Sequence, residues 1–447
     1  MRFEAARQEV LATCLALAER GYLAGTGGNI ALRADSNHLA VTPSATDYYS
    51  MTAADICVVR LSDEKQVEGE SKASVESGLH AGVLLARPEC GASVHTHQPI
   101  ASAYTLLGRP LEVRDEAHRA LLGHTVPCVG YARSGTGTLA TRVARAVEPD
   151  THAYLMRNHG AVCVGKDADE AMRRVAALES ECAAFFVARA ADSSMTLSES
   201  VRALVIDTLE SVDGTAYEPR ESTAPPGPRR SRGVTAPASE IIELLQDAKE
   251  RFRAKGLFDD EGDSLSMRIP GHEEFVLVFP NSNDVHTKPF GTQGNDAVGL
   301  HAAIYRSRKD AGAVLIGRTP WSSALATIGM AIPVLFDEQA RHLGKTAKPV
   351  AAGRNRRVLG ALEGGGNIAI HGDQRVCIGT TPGRLVLNAE LFEKCAKAFV
   401  VAYASGHRVQ KVPGWARIMA GGRLRKDQKR AAESYAAGRV PQGMNAY

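Results

Sequence analysis

The sequence predicts two tandem, layered α/β domains on one chain, and three observations lead there. At 447 residues the chain exceeds what one compact core organises, and the usual ~150 residues per domain allows two or three. Residues 218–237, EPRESTAPPGPRRSRGVTAP, are rich in Pro and Arg, lack apolar periodicity and read as a linker. The stretches on either side repeat each other in order. The expected boundaries are therefore 1–217 for a first domain, 218–237 for the linker and 238–447 for a second domain.

The repeat is visible in three segments. GYLAGTGGNIALR (21–33) lies on GLFDDEGDSLSMR (256–268), sharing Gly21/Gly256, Gly27/Gly262 and Arg33/Arg268. HAGVLLARPECGASVHTHQP (80–99) lies on HAAIYRSRKDAGAVLIGRTP (301–320), and AVCVG (161–165) lies on RVCIG (375–379). The offsets of 235, 221 and 214 shrink along the chain, so the second copy has lost loop residues while keeping the order of elements.

Each element has a local reason. Val10, Cys14, Leu17 and Ala18 fall at helical 3–4 spacing and predict an opening amphipathic helix. A Gly-rich turn and strands rich in Val, Leu and Thr follow, then a helix over about 76–87 and an apolar strand over 92–97. Another helix, a final strand pair, a long helix over 168–190 and a short one complete the copy. Helices mixed with strands in this order fit an α/β or an α+β layered domain, and periodicity alone does not separate the two.

Composition excludes several classes. A 23% charged, 44% hydrophobic chain with 42 Gly is neither disordered, collagenous nor a coiled coil. The net charge of +3 gives no argument for nucleic acid, and no recognisable nucleic-acid motif is present. Residues 407–447 nevertheless hold nine Lys/Arg against two Asp/Glu, a local +7 that leaves −4 for the rest. This basic end, including GGRLRKDQKR (421–430), reads as a solvated helix face or as a flap over an anionic substrate. Eight scattered cysteines without a CxxC pair suggest reduced, mostly buried thiols in a cytoplasmic protein. The charged first twenty residues, MRFEAARQEVLATCLALAER, are not expected to form a signal peptide. Thr319–Phe336, uncharged but interrupted by Pro320 and Pro333, makes a poor spanning helix, so no membrane association is expected.

The chemistry concentrates in the first copy. His95-Thr96-His97 sits on an expected strand, where side chains two apart point the same way and both imidazoles can reach one divalent cation. Two core or surface histidines would leave the same pattern. A third histidine, His159, lies in Arg157-Asn158-His159-Gly160, where a satisfied turn residue is the plainer reading. The second copy separates these readings. The counterparts of His95, His97 and His159 are Ile316, Arg318 and Asp373, so all three are lost together, as a shared ligand set would be. Glu76 has Ala297 as its counterpart, whereas His80 persists as His301. Glu76 is thus a site candidate and His80/His301 a structural pair.

TGGNIALR, VTPSATDY, SKASVESGLH, SVHTHQP, VPCVGYARSGT and RNHG occur in the order found in the class II aldolase/adducin family, and residues 5–190 resemble its fuculose-phosphate aldolase-like enzymes. The resemblance implies α/β/α domains, each with a central, mostly antiparallel sheet. It also implies Zn2+ held by His95, His97 and His159, with Fe2+ or Mn2+ as alternatives. Glu76 would be the acid/base, Tyr131 of the PxxxY motif the proton donor to an aldehyde oxygen, and Gly28, Asn29, Thr42, Ser44 and Ser74 the substrate-binding set. A divalent ion holding two adjacent substrate oxygens would stabilise an enediolate as a Lewis acid. Three neutral histidines leave it full charge and an open position, and a nearby carboxylate moves the proton.

The sequence departs from the family where phosphate is expected. Ala45 replaces a turn glycine and Val75 a second serine, so the substrate is expected to carry a carboxylate, or no anion, in that place. The second copy, with Ser264 for Asn29, is expected to be catalytically dead. Family tetramers have sites between subunits, which implies a homodimer of tandem chains forming a pseudo-tetramer. The expected function is a metal-dependent lyase on a small hydroxy-carbonyl or carboxylated substrate. Aldol cleavage, decarboxylation and epimerisation share these parts. An Fe(II) oxygenase on the same fold and a non-catalytic adducin-like scaffold are the alternatives.

Overall fold

A computed structural model describes residues 2–23, 27–44, 46, 48–192, 197–212, 238–282 and 284–442. The expected linker, 218–237, and Ala45 lie outside the described residues. Two compact units are present. One comprises Met1–Thr196, Arg202–Gly227 and Val401–Val412, the other Leu197–Val201, Pro228–Val400 and Pro413–Tyr447.

The first unit opens with helix α1 (Glu4–Glu19), whose Val10, Cys14 and Leu17 are fully buried, as their spacing requires. Strands β1 (Asn29–Arg33), β2 (His38–Val41), β3 (Cys57–Arg60) and β4 (Gln66–Glu68) follow, then α2 (Ser77–Ala86) and β5 (Ala92–Thr96). Next come α3 (Pro99–Thr105), β6 (Leu111–Glu112), α4 (Glu116–Leu122), β7 (Thr125–Val126), β8 (Cys128–Val129) and α5 (Gly137–Arg145). Strands β9 (Ala153–Met156) and β10 (Ala161–Gly165) lead into α6 (Ala168–Asp192) and α7 (Glu199–Glu210). One helix was expected between β5 and β9, and three occur. Two of these are only seven residues long, too short for a 3.6-residue period to register, and they are set by Pro99 and by an Asp115 N-cap.

The sheet runs β4-β3-β2-β1-β5-β10-β9-β8 and is antiparallel except for the β8–β9 pair. Strand alternation divides its side chains between two faces. Ala31, Leu39, Val41, Val162 and Val164 share a core with Leu79, Val83 and Leu84 of α2 and with Leu139 and Val143 of α5. Helices α1 and α6 pack on the sheet too, opposite the intervening buried residues Ile30, Leu32, Val94 and Cys163. The result is an α/β/α sandwich.

In the second unit, α8 (Ala238–Arg253) precedes β11 (Ser264–Arg268), β12 (Glu274–Val278), β13 (His286–Pro289), α9 (Ala297–Ser307), β14 (Ala313–Arg318) and α10 (Pro320–Ile328). It continues with α11 (Asp337–His342), α12 (Asn355–Leu362), β15 (Ile368–His371), β16 (Gln374–Gly379), α13 (Pro382–Ala404) and α14 (Gly414–Ala436). Its sheet, β13-β12-β11-β14-β16-β15, repeats the order β3-β2-β1-β5-β10-β9 of the first. The register repeats as well. Asn29 opposes His95 and Val162 opposes His95, as Ser264 opposes Ile316 and Val376 opposes Ile316. Helix α14 buries Ala416, Leu424, Gln428, Ala431 and Tyr435, while Arg423, Arg425, Lys426, Lys429 and Arg430 are exposed, so the basic run is a solvated helix face. Among the described residues no helix is long and apolar enough to cross a membrane.

Candidate metal centre

Strand β5 places Ser93, His95 and, just past its end, His97 on the sheet face that receives α2. The β9–β10 turn brings His159 to the same point. Asn158 occupies the left-handed region (φ +59°), which asparagine tolerates better than most residues. It also donates from Nδ2 to the Gln410 carbonyl, 3.0 Å away in the same compact unit. Gly160 leaves the space the rings need. A Cβ there would lie 2.8 Å from His97 Cδ2 and 3.1 Å from His95 Cε1, besides 2.3 Å from the Thr96 carbonyl oxygen. Gly28 is equally constrained by φ +96° and by the His95 carbonyl, 2.9 Å from where its Cβ would stand.

The three imidazoles converge. One ring nitrogen from each lies within 4.8 Å of the others, and the ring centroids are 4.8–5.2 Å apart in edge-to-face arrangements. His95 Nδ1 donates to the Ala161 carbonyl at 2.8 Å, which fixes the proton there and leaves the Nε2 lone pair for a ligand. That Nε2 stands 3.1 Å from His97 Nε2. Two nitrogens bound at about 2.0–2.1 Å to one tetrahedral Zn2+ would lie roughly 3.3–3.4 Å apart. The donor set and the space cleared by Gly160 therefore fit a divalent ion.

Glu76 straddles the trio from the N-cap of α2, its oxygens 3.4 Å from His95 Nε2 and 3.4 Å from His159 Nε2. Burial alone would raise its carboxyl. Positive charge on the His95 and His159 rings when they are protonated, with hydrogen bonds from Asn29 and Ser134, outweighs burial and holds it well below the usual carboxylate range. Asn29 Nδ2 donates to Oε2 at 2.8 Å, and Ser134 Oγ donates to Oε1 at 2.8 Å. In the sequence Ser134 carries no signal beyond its place in the VPCVGYARSGT motif. Tyr131, three residues earlier, is buried in the same loop.

Several members of the expected substrate-binding set are tied into this scaffold. The Asn29 side chain serves Glu76, Ser74 Oγ accepts from the Glu76 amide at 3.2 Å, and Thr42 Oγ1 accepts from the Ile30 amide at 3.3 Å. Ser44 donates its amide to the Lys72 carbonyl at 2.7 Å, and Gly28 accepts on its carbonyl from Tyr48 OH at 2.9 Å. Val75 is 62% exposed between Ser74 and Glu76.

A second group, Asp115, His118 and Glu181, also gathers potential ligand atoms. Here the Glu181 carboxylate already accepts from the Arg114 amide at 3.0 Å, the Asp115 amide at 3.1 Å and His118 Nδ1 at 2.9 Å. It fastens the start of α4 to α6.

In the second unit the matching positions hold an ion-pair network. Arg318 contacts Asp260 at 2.5 Å and Asp373 at 3.4 Å, and its amide donates to Asp263, which stands where the first copy has Gly28. Ile316 takes the place of His95 in the core. With Ile316 and Asp373 where the first copy has His95 and His159, Arg318→His is expected to leave the metal content of the protein unchanged, as elemental mass spectrometry would read.

The domain described as "Class II Aldolase and Adducin N-terminal domain" matches residues 8–186 and again residues 265–400. An L-fuculose phosphate aldolase of Methanococcus maripaludis is 32% identical over 167 residues, 37% of this chain and 88% of that protein. A methylthioribulose-1-phosphate dehydratase of Serratia proteamaculans is 32% identical over 182 residues, 38% of this chain and 88% of that protein. A solved L-fuculose 1-phosphate aldolase structure, 26% identical, covers 46% of this chain and 96% of its own, with a TM-score of 0.40. Matched twice along its length, the chain belongs to the class II aldolase and adducin family.

Proposed function

We propose that the chain is a metal-dependent lyase whose single catalytic centre lies in the first copy, residues 1–217, while residues 238–447 form a catalytically dead copy of it. The carrying observation is the Glu76 carboxylate set between His95 and His159, with His95 locked in the tautomer that presents Nε2. Aldolase and dehydratase relatives support lyase chemistry. When bound by His95, His97 and His159, Zn2+ (or Fe2+ or Mn2+) supplies a Lewis acid that stabilises charge left beside a carbonyl. Glu76 takes and returns the proton, and a buried carboxylate held by two hydrogen bonds keeps one orientation for that transfer. Tyr131 is the proposed proton donor to the aldehyde oxygen in the condensing direction, and in cleavage it takes that proton from the hydroxyl whose oxygen becomes the aldehyde. The test is metal analysis of the purified protein followed by a screen of hydroxy-carbonyl compounds. One ion per chain is expected, and a metal-free protein with full activity would sink the reading. Aerobic turnover that vanishes under nitrogen would instead identify an oxygenase.

The substrate is proposed to carry a carboxylate or no anion, rather than a phosphate, beside Gly28, Asn29, Thr42, Ser44 and Ser74. The exposed Val75 side chain and the committed Asn29 and Ser74 side chains support this. Phosphoglycolohydroxamate and its unphosphorylated analogue should consequently inhibit with similar potency in a steady-state assay. A clear preference for the phosphorylated compound would count against it.

Two chains are proposed to pair into a pseudo-tetramer of aldolase-like domains. The brace from Gln410 to Asn158 supports a need for more than the first copy. Light scattering should give a dimer, and a fragment of residues 1–217 should be inactive.

A further inference from the structure

We infer that His80 is a positioning residue for Glu76, acting through the Asn29 amide. The inference rests on the reading of Glu76 as acid/base. His80 looks structural in sequence because its counterpart His301 survives where the site does not. Its bonds say more. His80 is fully buried one turn into α2, with Nε2 2.7 Å from Asn29 Oδ1 and Nδ1 2.7 Å from Ser93 Oγ.

The direction of every bond in this chain is determined from its end. Asn29 Nδ2 is the amide atom 2.8 Å from Glu76 Oε2, so the nitrogen donates there. Asn29 Oδ1 is then an acceptor, and His80 Nε2 must carry the proton. Burial pushes the His80 imidazole down to about 3, so the ring holds only that one proton, and Nδ1 accepts from the Ser93 hydroxyl. Ser93 to His80 to Asn29 to Glu76 is thus one run of donors aimed at Oε2, while Ser134 holds Oε1. Without the Nε2–H group Asn29 Oδ1 is left buried without its donor, the amide loses its second anchor, and the Oε2 tether slackens. The carboxylate then swings toward the imidazoles instead of standing beside them.

The second copy supplies the internal contrast. His301 is equally buried and is likewise pushed down to about 3 by burial. It bridges Ser264 at 3.0 Å and Ser266 at 2.7 Å, and Ala297 stands where a glutamate would be. The histidine is kept for packing there, but has nothing to aim.

The test uses Co2+ as a probe in the full-length protein, read by visible absorption of the bound ion. Wild type should take up one Co2+ per chain. His80→Phe should keep that stoichiometry but shift the band, because the released carboxylate changes the ion's surroundings. His80→Gln, which restores an amide donor, should return the band toward wild type, and His301→Phe should leave it unaltered. If His80→Phe fails to fold, Asn29→Ser carries the same prediction, since the second copy folds with Ser264 there. Unshifted bands in His80→Phe or Asn29→Ser would overturn the positioning role alone. Wild type that binds no Co2+ would overturn the metal reading instead. The wiring is then judged in the metal-free protein by 15N resonances of His80: a proton on Nε2 is expected, and one on Nδ1 would overturn it.

Discussion

Replacing His97 by alanine should strip the protein of its metal and make its stability indifferent to chelators. Loss of an outer hydrogen-bond partner of a metal ligand typically costs about 10–100-fold in affinity, so loss of a ligand itself should cost at least that. The argument comes from geometry. His97 Nε2 and His95 Nε2 stand 3.1 Å apart, and the remaining pair, His95 and His159, would face a gap where the third nitrogen had been. The strand itself should survive, because the His97 amide donates to the Tyr22 carbonyl at 2.9 Å irrespective of the side chain. An ion at 100 times its Kd adds about 2.7 kcal/mol to folding stability. Thermal melts with and without EDTA therefore separate the cases: wild type should fall on chelation, and His97→Ala should start low and stay there. An alanine variant with full metal content would remove the trio from consideration.

What the sequence disclosed, and what it hid, follows from the range of each interaction. The strand carrying His95 and His97 and the helix starting beside Glu76 obey local periods, and they fall within a residue or so of their expected spans. The convergence of His159 with the other two is long-range. It was legible because the second copy lost all three positions together, and because the motifs resemble a family that binds metal through these positions. The tandem organisation was legible from the repeat and the α/β/α layering from the family resemblance, while the shared strand register around His95 and Ile316 emerged with the structure.

Hydrogen-bond wiring was not legible. Asn29 reaches Glu76 across 47 residues and Ser134 reaches it across 58. No periodicity encodes such pairings. Two residues make bonds that their sequence signals did not disclose. Retention of His80 in both copies pointed to packing and concealed its link to Asn29. The motif around Asn29 pointed toward substrate, whereas its side chain is engaged by Glu76 and His80. The substitution of all three histidines in the second copy was visible in the sequence, but the pairing of Arg318 with Asp260 and Asp373 at those positions needed the structure.

Glu76→Gln should leave the metal in place and remove turnover by about 10²–10⁴-fold, the usual contribution of a positioned acid/base. The substitution keeps shape and hydrogen bonding. The new amide oxygen can accept from Asn29 Nδ2, and the new amide nitrogen can donate to Ser134 Oγ, because a hydroxyl both donates and accepts. No buried polar group is orphaned, so melting should change little beyond the loss of one charge near the imidazoles. What disappears is the ability to accept a proton: a carboxamide has no basic oxygen in the working pH range. The measurements are metal content, thermal melting and turnover of the best substrate from the hydroxy-carbonyl screen, made on one preparation. Retained metal with lost turnover assigns the proton transfer to Glu76. A metal-loaded, fully active variant would transfer that role to another group around the same three histidines, and the geometry of Asn29 and Ser134 would then be holding a structural carboxylate.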